Sequence, residues 1–418
     1  MPPRPLAFDV TQLVSRLHRR ATTGIDRLDL AYARHFARSG RLACGLHFGL
    51  RAPHVFSPAR VVALVERFDR KLGEDAQDST RESRWAALRA WLLDQPPPPA
   101  AGRLPDEGPR AIFDRIRLHL VDDGGAPPPH ALYLNVAQSL FHFQRFFTWL
   151  DRRPDVTPVL MAHDLLPLDH PEFFPASSLA PSLRRTETLM RRAGAILATT
   201  EIVRERLLLE YDRRAMGAPP IFVGHPPSPI GAGGEAPDPD LAATPYFVMV
   251  GTIEPRKNHQ LLLNIWRDWG EAAPKLVLVG IDGWNNRQTL DMLEHTPILR
   301  RKVLRVSGLS RLDLRRLIVG ARALLLPSFA EGYGLPLVEG LSLGAPVIAS
   351  DIPVFREVAG EAAEFLSPFD GPGWRRALED FSAQPSPCRA AALLRAGAFP
   401  APDETAYFAA VEAFLADL

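Results

Sequence analysis

The sequence predicts an α/β protein made of two doubly wound domains. Three observations predict it. Short apolar runs alternate with helical patterns in both halves of the chain, as parallel strands joined by crossover helices do. A Pro- and Gly-rich stretch with no apolar period separates the halves. The 418 residues suffice for two domains of ordinary size.

Taken in order, residues 6–13, LAFDVTQL, read as the first strand. A basic loop follows, then Thr22-Thr23-Gly24. A helical pattern runs from Ile25 through Leu28, Tyr32 and Phe36. Strand, glycine turn and helix open a doubly wound domain. Arg16, Arg19, Arg20, Arg27, Arg34, Arg38 and Arg41 lie here, interrupted by Asp26 and Asp29. They read either as a solvated helix face or as a contact for an anionic membrane surface or a phosphate-bearing acceptor. Residues 60–95 look helical and irregular, and four prolines at 96–99 break the chain. The whole of 60–128 reads as an insertion with little bearing on chemistry.

ALYLNVA (131–137) is a second strand. The next helix carries Phe141, Phe143, Phe146, Phe147 and Trp149, expected in the core. PVLMAHDLLPL (158–168) ends a third strand at His163 and Asp164, where doubly wound sheets place their ligands. GAILATT (194–200) is a fourth strand, with Thr200 able to cap the next helix. IFVGHP (221–226) is a fifth. The boundaries follow: a first domain over 1–228, a linker over 229–240 and a second domain over 241–401. Beyond the linker come YFVMVGT, NHQLLLNIWRDW, KLVLVG, WNNRQTLDMLEH, VLRVSG, LDLRRLIVGA and ALLLPS, again strand and helix in turn. Ser310 and Asp313 form a capping-box start near 311. An amphipathic helix, DETAYFAAVEAFLADL, ends the chain.

Net charge is +1, so no global field favours nucleic acid. Cys44 and Cys388 are far apart and lack metal-ligand spacing, which suits a reducing compartment. The start MPPRPLAFDV does not read as a signal peptide, and no apolar run approaches the roughly 18 residues of a membrane span. The expected location is the cytoplasm, with peripheral contact at the cytoplasmic membrane face left open. Arginine supplies nearly all basic charge, since the lysines are only Lys71, Lys257, Lys275 and Lys302.

The chemistry concentrates in residues 324–350. A buried strand ends at Ser328. Glu331 follows, then a loop holding Gly332 and Gly334, then a helix expected to begin at Pro336, with Gly344 just past its end. Strand, glycine loop and helix N-terminus make an anion site. Glu331 stands at the strand edge and Glu339 in the expected first turn, eight residues on. Each carboxylate can reach hydroxyls on one side of bound phosphates, which describes a nucleotide sugar. Taken alone, Glu331 reads rather as a loop charge and Glu339 as a complement to the helix dipole.

A second grip lies in VGTIEPRKNHQ (250–260). A strand ends at Gly251-Thr252, and Arg256 and Lys257 sit just ahead of a helix N-terminus, the wrong sign for its dipole. Either both are solvated surface residues or a nearby anion compensates them, and a bound diphosphate would do so. No Asp-x-Asp triplet ends a strand and no His/Asp cluster has ligand spacing. No metal is expected, with Arg256 and Lys257 as the charge sink.

The string Glu331-Gly332-Tyr333-Gly334-Leu335-Pro336-Leu337-Val338-Glu339, with GAPVIAS behind it, resembles the E-x7-E signature of retaining glycosyltransferases of family four. Tyr333 stands where phenylalanine is commoner. The resemblance implies the GT-B fold: two Rossmann-like domains facing each other across a cleft. It implies that the donor sits on the second domain, held by Gly251, Thr252, Arg256, Lys257, Gly332, Tyr333, Gly334, Leu335 and Glu339. Glu339 would hold the ribose, and Glu331 the sugar. TTGIDR resembles the family's donor-facing loop, which puts Gly24 on the acceptor side. HDLLPLDHPEFFP resembles a segment of bacterial polysaccharide members in which the histidine reaches donor sugar or acceptor, which puts His163 and Asp164 there too. The EPRKN string resembles mannosyltransferases that use GDP-mannose.

The activity implied is retaining, metal-independent transfer of a hexosyl unit from a nucleotide-diphosphate sugar to a saccharide or lipid-linked saccharide acceptor, in cell-surface polysaccharide (O-antigen) synthesis, with no resident cofactor. Glu331, His163, Lys257 and Arg256 would be catalytic. A non-catalytic nucleotide-sugar binder, or a hydrolase or epimerase of the same fold, are the alternatives. The resemblance also implies that the terminal helix, 402–418, crosses back to the first domain. Residues 240–400 alone are expected to bind nucleotide.

Overall fold

The structure is a computed structural model and describes residues 3–17, 23–48, 53–77, 79–96, 121–233, 237–241 and 244–418. The first domain holds strands β1 Leu6–Asp9, β2 Leu42–Phe48, β3 Pro53–Phe56, β4 Leu132–Asn135, β5 Thr157–Ala162, β6 Ala195–Ala198 and β7 Ile221–Val223. Their order is β3-β2-β1-β4-β5-β6-β7. Among the described residues only the β2–β3 pair is antiparallel, with Gly45 opposite Phe56. The second domain holds β8 Tyr246–Val250, β9 Lys275–Val279, β10 Val303–Val306, β11 Leu324–Leu326, β12 Val347–Ser350 and β13 Glu364–Leu366. They form a parallel sheet in the order β10-β9-β8-β11-β12-β13. Helices cover both faces of each sheet, so the central strands are buried along their whole length.

Several elements differ from the sequence reading. The first strand stops at Asp9, because the Asp9 carboxylate accepts the Thr11 N–H at 2.9 Å and turns the chain into a helix over Thr11–Arg16. β2, β3 and β13 were not foreseen. The aromatic run forms a 3-10 helix over Gln144–Arg152. Phe141 and Phe147 enter the core, while Phe143 stays exposed. Helix starts were better specified by the chain. Thr200 accepts from Val203 N at 3.2 Å, and Ser310 accepts from Asp313 N at 3.0 Å. Thr23 and Asp26 cap each other at the start of the helix Gly24–Ser39.

Each domain lends a helix to the other. The terminal helix Glu404–Ala416 buries Tyr407, Phe408, Val411 and Leu415 in the first domain's core, beside Tyr32 and Phe36. The Tyr32 and Tyr407 hydroxyls share a hydrogen bond of 2.7 Å. In return, the helix Ser79–Leu92, from the stretch read as an uninformative insertion, packs on the second domain. Leu88 and Leu92 are buried there with Tyr246, Val248, Val277 and Leu317. Lys275 donates to the Trp91 and Leu92 carbonyls at 2.6 and 3.0 Å, and Arg89 pairs with Asp238 at 2.7 Å. Residues 240–400 by themselves lack this cover.

The basic region is mostly spoken for. Arg16 pairs with Asp26, Arg27 with Glu339, Arg34 with Asp69 and Arg41 with Glu412. Arg38 is exposed. Arg19, Arg20 and Thr22 lie outside the described residues. Among the described residues no helix is long and apolar enough to cross a membrane.

Candidate active site

The carboxyl ends of the first sheet face the glycine loop of the second domain. At Gly332 the domains touch so closely that a Cβ would lie 2.7 Å from the His163 carbonyl and 2.8 Å from the Asp164 Cβ. Glycine is the residue that permits this approach. The Thr199 and Thr200 hydroxyls both point at the Gly332 carbonyl, at a long 3.5 Å. Gly24 faces the Leu335 side chain in the same way. Thus Gly24, His163 and Asp164 from one domain meet Gly332 and Leu335 from the other.

Gly334 has φ +92 and caps the helix Leu335–Ser342. Pro336 is its second residue, not its first. It still falls among the N–H groups that have no helical acceptor, so the ring costs no hydrogen bond. Gly344 has φ +71 just past the end. Glu339 therefore lies in the second turn, outside the reach of a simple dipole complement. The Tyr333 side chain also departs from expectation. It is buried and donates to the Pro226 carbonyl at 2.6 Å, so only the backbone of Tyr333 is left to face a ligand.

The two basic residues of the second grip converge on one carboxylate. Arg256 Nη1 and Lys257 Nζ each donate to Glu331 at 2.5 Å, and Ser328 Oγ donates to it at 2.7 Å. Arg256 also binds Glu254 at 2.6 Å and the Ala330 carbonyl at 2.7 Å. The side chains of Glu331, Lys257 and Arg256 are 7%, 9% and 14% exposed. Burial pushes the Glu331 pKa up, but the Arg256 and Lys257 charges overcome it and hold the carboxylate down at about 2. Burial lowers Lys257, with Glu331 opposing. The anion that compensates these cations is thus the protein's own Glu331. Gly251, at the end of β8, lies against the Lys257 stem, and Thr252 follows in the turn.

Glu339 sits in a different environment. It is buried, with Arg27 Nη1 at 3.4 Å. Burial raises its pKa to about 7, only partly offset by Arg27 and Lys257. A carboxyl raised above its unfolded value of 4.5 stabilises the fold while protonated. That contribution is full below pH 4.5 and is lost as pH rises through about 7. Glu339→Gln should therefore stabilise the free protein at pH 8 by up to about 3 kcal/mol, with the gain vanishing near pH 4. Urea unfolding of both proteins at the two pH values checks this. An equal difference at both pH values would refute it.

His163 is neutral, because burial lowers its pKa more than Asp164 raises it. Its Nε2 lies 2.8 Å from the Val136 carbonyl and donates to it, which leaves Nδ1 as an acceptor. Asp164 accepts the Leu166 N–H at 3.1 Å. Four functional neighbours were missed by sequence reasoning: Glu254, Ser328, Arg27 and Arg185. Glu254 was within reach, as the only acid in EPRK. Arg185 is largely buried beside Asp164 and His163, and its Nε has no hydrogen-bond partner. Nothing in its helical sequence context distinguishes it. Among the described residues no group of three or more His, Cys, Asp or Glu is placed to hold a metal ion.

Comparison with known proteins bears on the second domain and on the fold. Residues 240–374 match the family described as glycosyl transferases group 1. Over 129 residues the chain is 42% identical to the serotype-specific mannosyltransferase WbdA of Escherichia coli, covering 30% of this chain and 16% of that protein. It is 31% identical over 140 residues to the O-antigen chain mannosyltransferase RfbU of Salmonella typhimurium, 34% of this chain and 39% of the relative. The matches thus span well under half of those relatives. The crystal structure of Anabaena Alr3699/HepE in complex with UDP aligns over 99% of this chain and all of its own, with a TM-score of 0.57 at 14% identity. By these matches residues 240–374 are similar to the glycosyl transferases group 1, and the chain as a whole has the GT-B fold.

Proposed function

We propose that the chain transfers a hexosyl unit, mannose first among the candidates, from a nucleotide-diphosphate sugar to a saccharide or lipid-linked saccharide acceptor in polysaccharide synthesis. The observation that carries this reading is the buried pair Arg256 and Lys257. Both are held by Glu331 beside the glycine loop, where the two domains meet. A diphosphate entering there meets two preset cations and the free N–H groups of the Leu335–Ser342 helix. The choice of mannose follows the mannosyltransferase relatives, and GDP as its carrier follows the EPRKN string.

On this reading the sugar's C1–O bond to the diphosphate breaks, a C1–O bond to the acceptor hydroxyl forms on the same face, and the departing diphosphate takes the acceptor proton. Configuration is retained and no separate base is required. Arg256 and Lys257 stabilise the growing diphosphate charge, so no metal is needed. Glu331 keeps both cations aimed and turns to the sugar hydroxyls. Glu339 accepts from the ribose hydroxyls, drawing on its link to Arg27. His163 presents Nδ1 toward the sugar or acceptor, with Asp164 and Gly24 beside it.

The test uses full-length protein with GDP-mannose, UDP-glucose and dTDP-glucose in excess EDTA. A true donor at 100 times its Kd should stabilise the fold by about 2.7 kcal/mol. Nucleoside diphosphate release and sugar transfer should persist in EDTA, and the product should keep the donor's anomeric configuration by NMR. Dependence on added Mg²⁺ or Mn²⁺, or an inverted product, would overturn the corresponding part.

A further inference from the structure

Next to the cation pair, a row of aromatic rings crosses from one domain to the other. His170 lies 5.8 Å from Phe173, Phe173 stacks on Phe329 at 5.3 Å, and Phe329 meets Phe369 at 5.2 Å. The Phe173 and Phe329 rings are within 8° of parallel. His170 and Phe173 belong to the first domain, Phe329 and Phe369 to the second. A second contact runs alongside. Trp284 Nε1–H donates to the Phe173 carbonyl at 2.8 Å, and its ring stacks on Phe174.

The row ends on an open face. Phe369 is 81% exposed, against 42% for Phe143, the next phenylalanine among the exposed apolar residues described. It is nevertheless fixed to the site. The Phe329 N–H donates to the Arg256 carbonyl at 2.9 Å. Asn258, which follows Lys257, donates to the Pro368 carbonyl at 3.1 Å. The Phe369 N–H donates to Ser367 Oγ at 3.3 Å. The backbone that carries Arg256 and Lys257 thus also sets the position of the Phe369 loop. Among the described residues Phe369 is the most exposed of the large apolar side chains, while Glu172 and His170, at the other end of the row, are also exposed.

We infer that Phe369 is a stacking platform for a pyranose ring of the saccharide acceptor, at the mouth of the transfer site. This rests on the glycosyltransferase reading above and adds to it a named acceptor subsite. One strongly exposed ring at the end of a half-buried row suits a sugar better than a protein. A protein partner needs a contiguous apolar patch of several hundred Å². A pyranose has one face of C–H groups, whose partial positive charge meets the negative face of the aromatic quadrupole, and a rim of hydroxyls that stays in water. The Phe329 ring packs behind Phe369, tilted by 35°, and narrows the arc through which the exposed ring can swing before a sugar binds. Its anchoring to Asn258 and Arg256 places that sugar along the cleft from the donor diphosphate.

The experiment measures mannotriose binding to full-length protein by saturation-transfer NMR and GDP binding by calorimetry. Both are run on wild type, Phe369→Ala, Phe369→Leu and Phe369→Trp. The side chain is exposed, so none of these changes disturbs the core. Phe369→Ala and Phe369→Leu should weaken mannotriose binding about tenfold, whereas Phe369→Trp should retain it. GDP affinity should stay constant throughout. Wild-type affinity for mannotriose in Phe369→Ala overturns the platform, as does full retention in Phe369→Leu, which would make the surface merely apolar. A parallel loss of GDP affinity would move the ring to the donor site and also overturn it, and so would a wild type that does not bind mannotriose. Failure of the broader reading looks different: the wild type would then neither bind GDP nor consume any nucleotide sugar.

Discussion

Glu331→Gln is expected to destabilise the free protein by about 3–5 kcal/mol, because it leaves buried cations without their counter-charge. Arg256 would keep Glu254, but Lys257 would lose its 2.5 Å partner in a site where its side chain is 9% exposed. Part of the cost would be relieved by Lys257 releasing its proton. The sign with pH follows from the Glu331 pKa, held at about 2 against 4.5 unfolded. A depressed carboxyl stabilises fully above 4.5, and its contribution fades as pH falls toward 2. The gap between wild type and variant should therefore be widest near neutrality and close on acidification. A nucleoside diphosphate supplies the missing anion, so it should raise the variant's melting temperature more than the wild type's. Transfer should fall in the variant even at saturating donor. A variant within 1 kcal/mol of wild type at pH 7 would mean that the three-charge cluster does not hold the loop, a loss within the range of a surface pair.

How much of this was legible in the chain depends on the range of the interaction. The GYGLP loop, the following helix and the glycine past its end are local patterns, and the sequence reading placed them within a residue or so. The pairing of β2 with β3 was not legible, since neither strand shows a clean alternation and their partnership is set by the fold. That Arg256 and Lys257 need an anion was readable from the helix dipole. That the anion is Glu331 was not, because the residues come together only when β8 and β11 lie side by side. Glu339 reads as a first-turn acid if Pro336 opens the helix. One residue's shift moved it to the second turn and toward Arg27. Tyr333 misleads for a similar reason. It interrupts a glycine loop expected to face ligand, yet its ring belongs to the core because a carbonyl at Pro226 waits for its hydroxyl.

The hardest feature to read was the helix Ser79–Leu92, and it gives the second large expected effect. Leu92→Ala should destabilise the second domain by about 2–5 kcal/mol and weaken nucleotide binding, although Leu92 belongs to the core and not to the donor site. Its side chain is fully buried among Tyr246, Val248 and Val277 on the β8–β9 face. Without its bulk the cavity sits directly under the strand that delivers Gly251 and the Arg256–Lys257 turn. The neighbouring Lys275 Nζ donates to the Trp91 and Leu92 carbonyls and lies over the Trp91 ring at 5.3 Å, so a loosened helix also strips a buried ammonium of its acceptors. By the same argument a fragment of residues 240–400 should expose this face, fail to unfold cooperatively and bind no nucleotide. Reciprocity makes the test sharper. The terminal helix fills the first domain's core, so both domains of the whole chain should unfold in a single urea transition seen alike by near-UV circular dichroism and by nucleotide release. A fragment 240–400 that folds and binds GDP, or two separate transitions in the whole chain, would show that the exchanged helices decorate the domains without completing them.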